Sequence, residues 1–396
     1  MPLYEGIGLI SEKHAVVLDI GTVYTKAGFA GETGPRCIIP TEILSGKTGK
    51  MMKLVNIHFP DDLYKFLVNF IHHLYFKYLL VNPKDRRVVI IESVLSPTLF
   101  RETVAKVLFV HFEVSSLLFV PSHLLTLFTL GISSGLVLDM GYRESQIFPI
   151  YDGILLLNSG YTLPLAAKAI HSNLENLLLN HASVHFHDRQ VLLPEMTASL
   201  SKTLLEDITV RLCFATTLER SRQIQDVKRA SESVHKFPPS RPPVDYPMDG
   251  DKILRIPGTV TEQAVEVLFE LDHDMQTIAT LVVDTLLSCP VDIRKTLAEN
   301  IVVTGGTSML PGFKSRLKSE INHLLDHPQY KDRLAIKVFK FHRPPAKENY
   351  TAWLGAAIFG STDVLTSRSL NKEVYIKQGY VSDWANLNDN NNKSLI

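Results

Sequence analysis

Val17-Leu18-Asp19-Ile20-Gly21, near the start of the chain, is answered 120 residues later by Val137-Leu138-Asp139-Met140-Gly141. Each stretch reads as a short apolar strand that ends in an Asp and then a Gly, where the backbone must turn tightly. Repetition of the same strand ending marks an internal duplication. An Asp at a strand end is placed to order the water shell of a divalent cation, and backbone amides freed by a glycine turn cradle phosphate oxygens. The pair predicts two related half-sites for a phosphorylated ligand.

Outward from the first turn, Lys26-Ala27-Gly28-Phe29-Ala30-Gly31 reads as the returning strand of a hairpin, followed by turn residues 32–36. Residues 41–60 read as irregular. Helical spacing resumes at Leu63, Phe66, Leu67, Phe70 and Ile71, and Val88-Val89-Ile90-Ile91 is a buried strand. Ser96 as cap and Pro97 at the first helical position open a helix with Leu99, Phe100, Val104, Val107 and Leu108 on one face. A strand at 117–120, a helix at 122–130 and a strand at 136–138 follow, so β and α alternate in an α/β layering. The second repeat leads to a strand at 145–150, a turn at Asp152-Gly153 and a helix at 165–179. Residues 231–247 hold Pro238, Pro239, Pro242, Pro243 and Pro247 and read as an extended surface excursion, either a linker or a proline-rich docking peptide. A strand at 253–256 and helices around 260–269 and 278–287 precede a third glycine-rich element, Ile301-Val302-Val303-Thr304-Gly305-Gly306-Thr307-Ser308. This buried strand feeds a helix at 313–325 through two glycines, which lets a ligand approach the backbone. The polar run 386–393 reads as a frayed tail.

With 396 residues, 45% hydrophobic and 21% charged, the chain can build two domains with separate cores. Lys+Arg and Asp+Glu balance at 41 each, so no global field draws it onto nucleic acid or an anionic membrane. Cys37, Cys213 and Cys289 are scattered without metal-ligand spacing and read as reduced thiols of an intracellular protein. The apolar run from Leu74 to Val81 carries Lys77 and is too short to span a bilayer, which excludes membrane insertion there.

Taken together, Asp19-Ile20-Gly21-Thr22 through Gly31, Pro149-Ile150-Tyr151-Asp152-Gly153, Val291-Asp292-Ile293-Arg294-Lys295, Gly305-Gly306-Thr307-Ser308-Met309-Leu310-Pro311-Gly312 and Trp353-Leu354-Gly355-Ala356 resemble actin and the actin-related proteins, collinearly over nearly the whole chain. The resemblance implies an α/β, actin-like ATPase-domain fold: two duplicated lobes around a nucleotide cleft, 1–131 with 336–396 and 132–335, with a reduced subdomain at 41–60 and a smaller subdomain at about 166–265. It implies ATP or ADP with Mg2+ as cofactor. Asp19, Gly21, Thr22 and Lys26 would form the first phosphate loop, Asp139 and Gly141 the second, and Gly305, Gly306 and Thr307 the adenosine loop. Lys26 would offset phosphate charge, and Asp19 and Asp139 would hold the metal through water.

Several positions depart from the family pattern. Val23 replaces a glycine of the first loop, and Tyr142-Arg143 replace Asp-Gly in the second. Ser122, beside His123, occupies the place of the water-orienting glutamine. Thr209, Val210 and Asn349 occupy places held in actin by base-side Lys, Glu and Lys. These changes imply a chain that binds nucleotide with little or no hydrolysis, and no catalytic residue is nominated. The segment 41–60 is markedly shorter than the actin subdomain that inserts into the next protomer, which implies a cap at the pointed end of a filament. Met1-Pro2-Leu3-Tyr4-Glu5-Gly6, residues 81–88 and Tyr142-Arg143-Glu144-Ser145 resemble the actin-related class at the pointed end of dynactin. That class implies a cytoplasmic, cytoskeletal protein in microtubule-based transport. Its partners would be dynactin's actin-related filament subunit and pointed-end subunits, and indirectly dynein and cargo adaptors. A nuclear actin-related scaffold of a chromatin-remodelling complex is the alternative; a phosphotransferase would need a base and a sugar pocket that no residues supply.

Overall fold

The computed structural model describes residues 14–44, 49–57, 59–84, 86–186, 189–229, 239–248, 250–271, 276–331, 333–336 and 338–382. The opening residues 1–6, residues 231–238 of the proline-rich stretch and the expected tail 386–393 lie outside the described residues. The chain divides into two compact units, Met1–Ile132 with Pro344–Ile396, and Ser133–Arg343. The second unit continues past 335, where the sequence reading ended it, because Phe341–His342 adds a parallel strand beside Ile301–Thr304.

In the first unit, strands Cys37–Pro40, Tyr24–Phe29, Val16–Ile20, Arg87–Glu92 and Ser116–Pro121 lie side by side in that order, with Leu370–Asn371 beyond the last. Val16-Val17-Leu18 and Val88-Val89-Ile90-Ile91 in the central strands are unbroken apolar runs because both faces are covered. Val16, Leu18 and Ile20 pack on the side of helices Pro60–His73 and Thr98–Lys106, whereas Val17 packs on the side of helix Thr351–Gly360. Trp353 is completely buried there and donates its indole N–H to the Val17 carbonyl at 3.2 Å. Gly355 lets that helix lie against helix Ser122–Phe128, since a Cβ would come within 2.0 Å of the Leu125 carbonyl oxygen.

Ser96 does not cap the next helix: its amide bonds to the Ser93 carbonyl, and Pro97, with φ −60° and ψ 135°, occupies the N-cap without a side-chain bond. Proline's fixed φ starts the helix by itself. The helix also ends sooner than its apolar spacing suggests, giving way to a π-helical segment at Val107–His111. Residues 41–60, read as irregular, contain a short antiparallel hairpin, Glu42–Leu44 against Met51–Lys53, followed by a 3-10 turn at Leu54–Asn56. A Lys53–Glu42 ion pair at 3.2 Å spans the hairpin.

The second unit repeats the sheet. Strands Ile154–Leu155, Ser145–Tyr151, Gly135–Met140, Ile301–Thr304 and Phe341–His342 follow one another with the same succession of antiparallel, antiparallel, parallel and parallel pairings. The register repeats too: Asp19 stands opposite Lys26, and Asp139 opposite Gln146. A further sheet runs Arg189–Leu192, Ser183–Phe186, Ile253–Ile256, Val244–Pro247. The end of the proline-rich stretch is therefore an edge strand rather than unpacked chain, a position that tolerates proline. Tyr246 there packs against the core and donates its hydroxyl to Asp207. The helix expected around 260–269 is split into Gly258–Gln263 and a 3-10 turn at Glu266–Leu268. Beneath it a buried network holds the loop after Cys213: Arg316 bonds Glu266 twice at 3.0 Å, and Ser221 and Thr216 complete the carboxylate's partners.

Candidate functional site

The first half-site is one hairpin. After Asp19 the chain turns through 21–24, closed by the Gly21 amide on the Tyr24 carbonyl at 3.1 Å. A Cβ at Gly21 would lie 2.6 Å from that carbonyl oxygen, which keeps the position glycine. Asp19, Gly21, Thr22 and Lys26 are brought together, with Lys26 Nζ 2.7 Å from Asp19 Oδ2 in a pair that remains partly exposed. The lysine therefore reaches the end of the turn, where it can neutralise an anion, while Asp19 holds it in place.

The second half-site is assembled by the sheet from distant segments. The Gly141 amide bonds the Glu144 carbonyl at 3.1 Å, the same closure at the same offset of the duplication. Thr304 stands beside Asp139 in parallel register, so the Gly305–Gly306 turn emerges against the end of the 135–140 strand. Gly305 has φ +91°, and a Cβ there would meet the Met140 carbonyl oxygen at 2.2 Å and Asp139 Oδ1 at 2.7 Å. A Cβ at Gly306, in contrast, would meet nothing within 4 Å. The Thr307 hydroxyl donates to the Gly141 carbonyl at 2.6 Å, so that side chain braces the second turn and only its backbone is left to face a ligand.

The departures also have structural expression. Tyr142 lies edge-on to the His171 ring, with centroids 5.8 Å apart, and its carbonyl accepts from the Lys168 amide at 2.8 Å. The altered turn is thus tied to helix Ala167–His181. Burial, reinforced by the charge of Lys202, lowers the His171 pKa to about 4. In the first unit, Ser122 Oγ lies 3.3 Å from His123 Nδ1, and the His123 ring is completely buried, which removes it from contact with any ligand. Thr209 is buried and donates its hydroxyl to the Leu205 carbonyl, while Val210 is 72% exposed. Asn349 keeps a buried amide oxygen with no protein partner. Among the described residues no group of three or more His, Cys, Asp and Glu could hold a metal by direct ligation.

Sequence reading missed Thr25 and Thr41. Thr41 Oγ1 donates to the Gly21 carbonyl at 2.8 Å and lies 2.8 Å from Thr25 Oγ1. The available signal was Thr25, which alternation with Lys26 places on the inward face of the strand beside the first turn. Each half-site taken by itself suits phosphate oxygens: the first offers a glycine turn, a Thr and a lysine, and the second a glycine turn with open space over Gly306. The carboxylates suit a cation that keeps its waters.

The model of the family described as Actin matches residues 10–383. The chain belongs to the actin family. Its fold is that of the actin-like ATPases, and the two Asp-x-Gly turns are the duplicated elements of that fold. Among curated relatives, the Actin-related protein 10 of Dictyostelium discoideum is 25% identical, the match covering 98% of this chain and 92% of that protein. The putative actin-29 of the same organism is 26% identical, covering 92% of this chain and 95% of the relative. No helix among the described residues is long and apolar enough to cross a membrane.

Proposed function

We propose that this actin-family chain is the pointed-end cap of the actin-related filament in dynactin, a nucleotide-binding subunit with little or no ATP hydrolysis. The observation that carries the reading is the small subdomain at 41–60. Its described residues form two paired strands of three residues and one 3-10 turn. A head-to-tail filament needs two complementary surfaces on every subunit, so one that keeps a single surface joins an end and stops it. Full-length similarity to a protein named Actin-related protein 10 supports the same class.

In this reading Asp19, Gly21, Thr22, Lys26, Asp139, Gly141, Gly305, Gly306 and the Thr307 backbone hold ATP or ADP with Mg2+, and Asp19 and Asp139 order the metal's waters. The bound nucleotide supplies stability by mass action rather than turnover. Weak hydrolysis follows from Ser122: its short hydroxyl, beside a buried His123, offers no amide to orient an attacking water. The partners are dynactin's actin-related filament subunit and pointed-end subunits, and through them dynein and cargo adaptors, in the cytoplasm. Affinity purification of the tagged chain followed by mass spectrometry tests the assignment. Dynactin subunits are expected; recovery of chromatin-remodelling subunits in their place would overturn it.

A further inference from the structure

Thr41 is where the short hairpin meets the phosphate turn. Its hydroxyl donates to the Gly21 carbonyl at 2.8 Å, its amide donates to the Val23 carbonyl at 2.7 Å, and its carbonyl accepts from the Leu54 amide at 3.1 Å. Gly21 and Val23 belong to the turn at 21–24. Leu54 directly follows the second hairpin strand, and Glu42 directly opens the first. One residue thus bonds the turn with two groups and the hairpin's far end with the third.

The hydroxyls add direction. A threonine hydroxyl has one hydrogen, and that of Thr41 is given to Gly21, so the 2.8 Å contact with Thr25 is a donation from Thr25 to Thr41. The result is a chain from Thr25 to Thr41 to the Gly21 carbonyl, within which each bond polarises the next. Both side chains are buried, at 0% and 2% exposure, so water does not compete.

The second turn is braced in the same way from a different place. Thr307 gives its hydroxyl to the Gly141 carbonyl, yet it follows an interior strand of its sheet, whereas Thr41 follows an edge strand. The duplication repeated the turn without repeating the brace. What recurs is the fixed carbonyl, and a fixed carbonyl fixes the direction of the amides that follow it.

We propose that Thr41, backed by Thr25, is a positioning residue for the nucleotide phosphates, and that it makes the 42–53 hairpin a lever on the first phosphate turn. The proposal rests on the nucleotide-binding reading above. Thr41→Val keeps the shape and removes the hydroxyl. Leu54→Pro removes the single amide that joins the hairpin's end to Thr41, at the first position of a 3-10 turn, where proline's missing N–H is tolerated.

The test uses the full chain loaded with Mg2+ and 1,N6-ethenoadenosine triphosphate, chased with excess ATP, alongside hydrogen exchange of the same variants without nucleotide. Thr41→Val is expected to release the probe about tenfold faster, Leu54→Pro about threefold faster, and Thr41→Ser within about twofold of wild type. Exchange at 22–24 and at 51–54 is expected to rise together in Thr41→Val. Release at the wild-type rate from Thr41→Val, or release from Thr41→Ser as fast as from Thr41→Val, overturns the positioning role. If the wild-type chain fails to bind the probe, the nucleotide reading is what fails. The linkage is then decided by exchange alone, and faster exchange at 51–54 with 22–24 unchanged overturns it.

Discussion

Gly305 and Gly306 are adjacent, yet the structure gives them different work, and alanine substitution separates the two. At Gly305 a methyl group would sit 2.2 Å from the Met140 carbonyl oxygen and 2.7 Å from Asp139 Oδ1, on a backbone at φ +91°. The left-sided φ alone costs about 1–3 kcal/mol, and relieving contact with a backbone oxygen at the end of the 135–140 strand adds about 1–3 kcal/mol of overpacking strain. In a unit of about two hundred residues, ~3 kcal/mol lowers the melting midpoint by about 6–12 °C. At Gly306 the same methyl meets nothing within 4 Å, so the midpoint should stay within about 2 °C, the effect of a surface change of ±0.5 kcal/mol. If the open space over Gly306 is where a ligand approaches, Gly306→Ala instead weakens retention of etheno-ATP. The assay is a thermal melt of each variant with and without Mg2+ and nucleotide. A Gly305→Ala protein as stable as wild type would refute the close-approach geometry, and a Gly306→Ala protein that retains nucleotide fully would refute the ligand-facing role.

Three further outcomes follow. Arg101 grips Glu92 through two bonds of 2.9 and 2.7 Å, both side chains under 5% exposed; Arg101→Met removes both bonds and the compensating charge from a buried carboxylate and should cost about 3–5 kcal/mol, most of it recovered by adding Glu92→Leu, as read by denaturant unfolding. His171 has a folded pKa of about 4, below its ordinary 6.5, so the unfolded chain binds the extra proton. Its linked stability is full above pH 6.5 and is lost as pH falls from 6.5 to 4, by about 3 kcal/mol. His171→Leu should flatten that part of the melting-versus-pH curve, and an unchanged curve would contradict the assignment. Asp19→Ala frees Lys26 from its 2.7 Å pair and should cut the stabilisation by saturating Mg-ATP, about 2.7 kcal/mol at a hundred times Kd, to about half for a tenfold loss of affinity.

The parts of the fold legible in sequence were those with strong periodicity and a glycine at a demanding position. The strands at 16–20, 135–140 and 301–304 are buried on both faces, so their aliphatic runs Val16–Leu18, Leu136–Leu138 and Ile301–Val303 stand out. The duplicated Asp-x-Gly turns stood out because a tight turn leaves little choice at Gly21. The hairpin at 42–53 was not legible, since strands of three residues offer too few alternations to register a period. Strand 244–247 was hidden by prolines that an edge position accepts. At Val107–His111 the apolar spacing continues while the helix changes its hydrogen bonding, which composition does not encode. Thr41 escaped because its role is set by a contact across 20 residues with a backbone atom.

Position within the assembly tests the central claim most directly. Electron cryomicroscopy of the filament purified through this chain should show it once, at the pointed end, with the 42–53 hairpin facing away from the filament subunit. Copies of it flanked on both sides by filament subunits, with the hairpin inserted into the next protomer, would contradict the account.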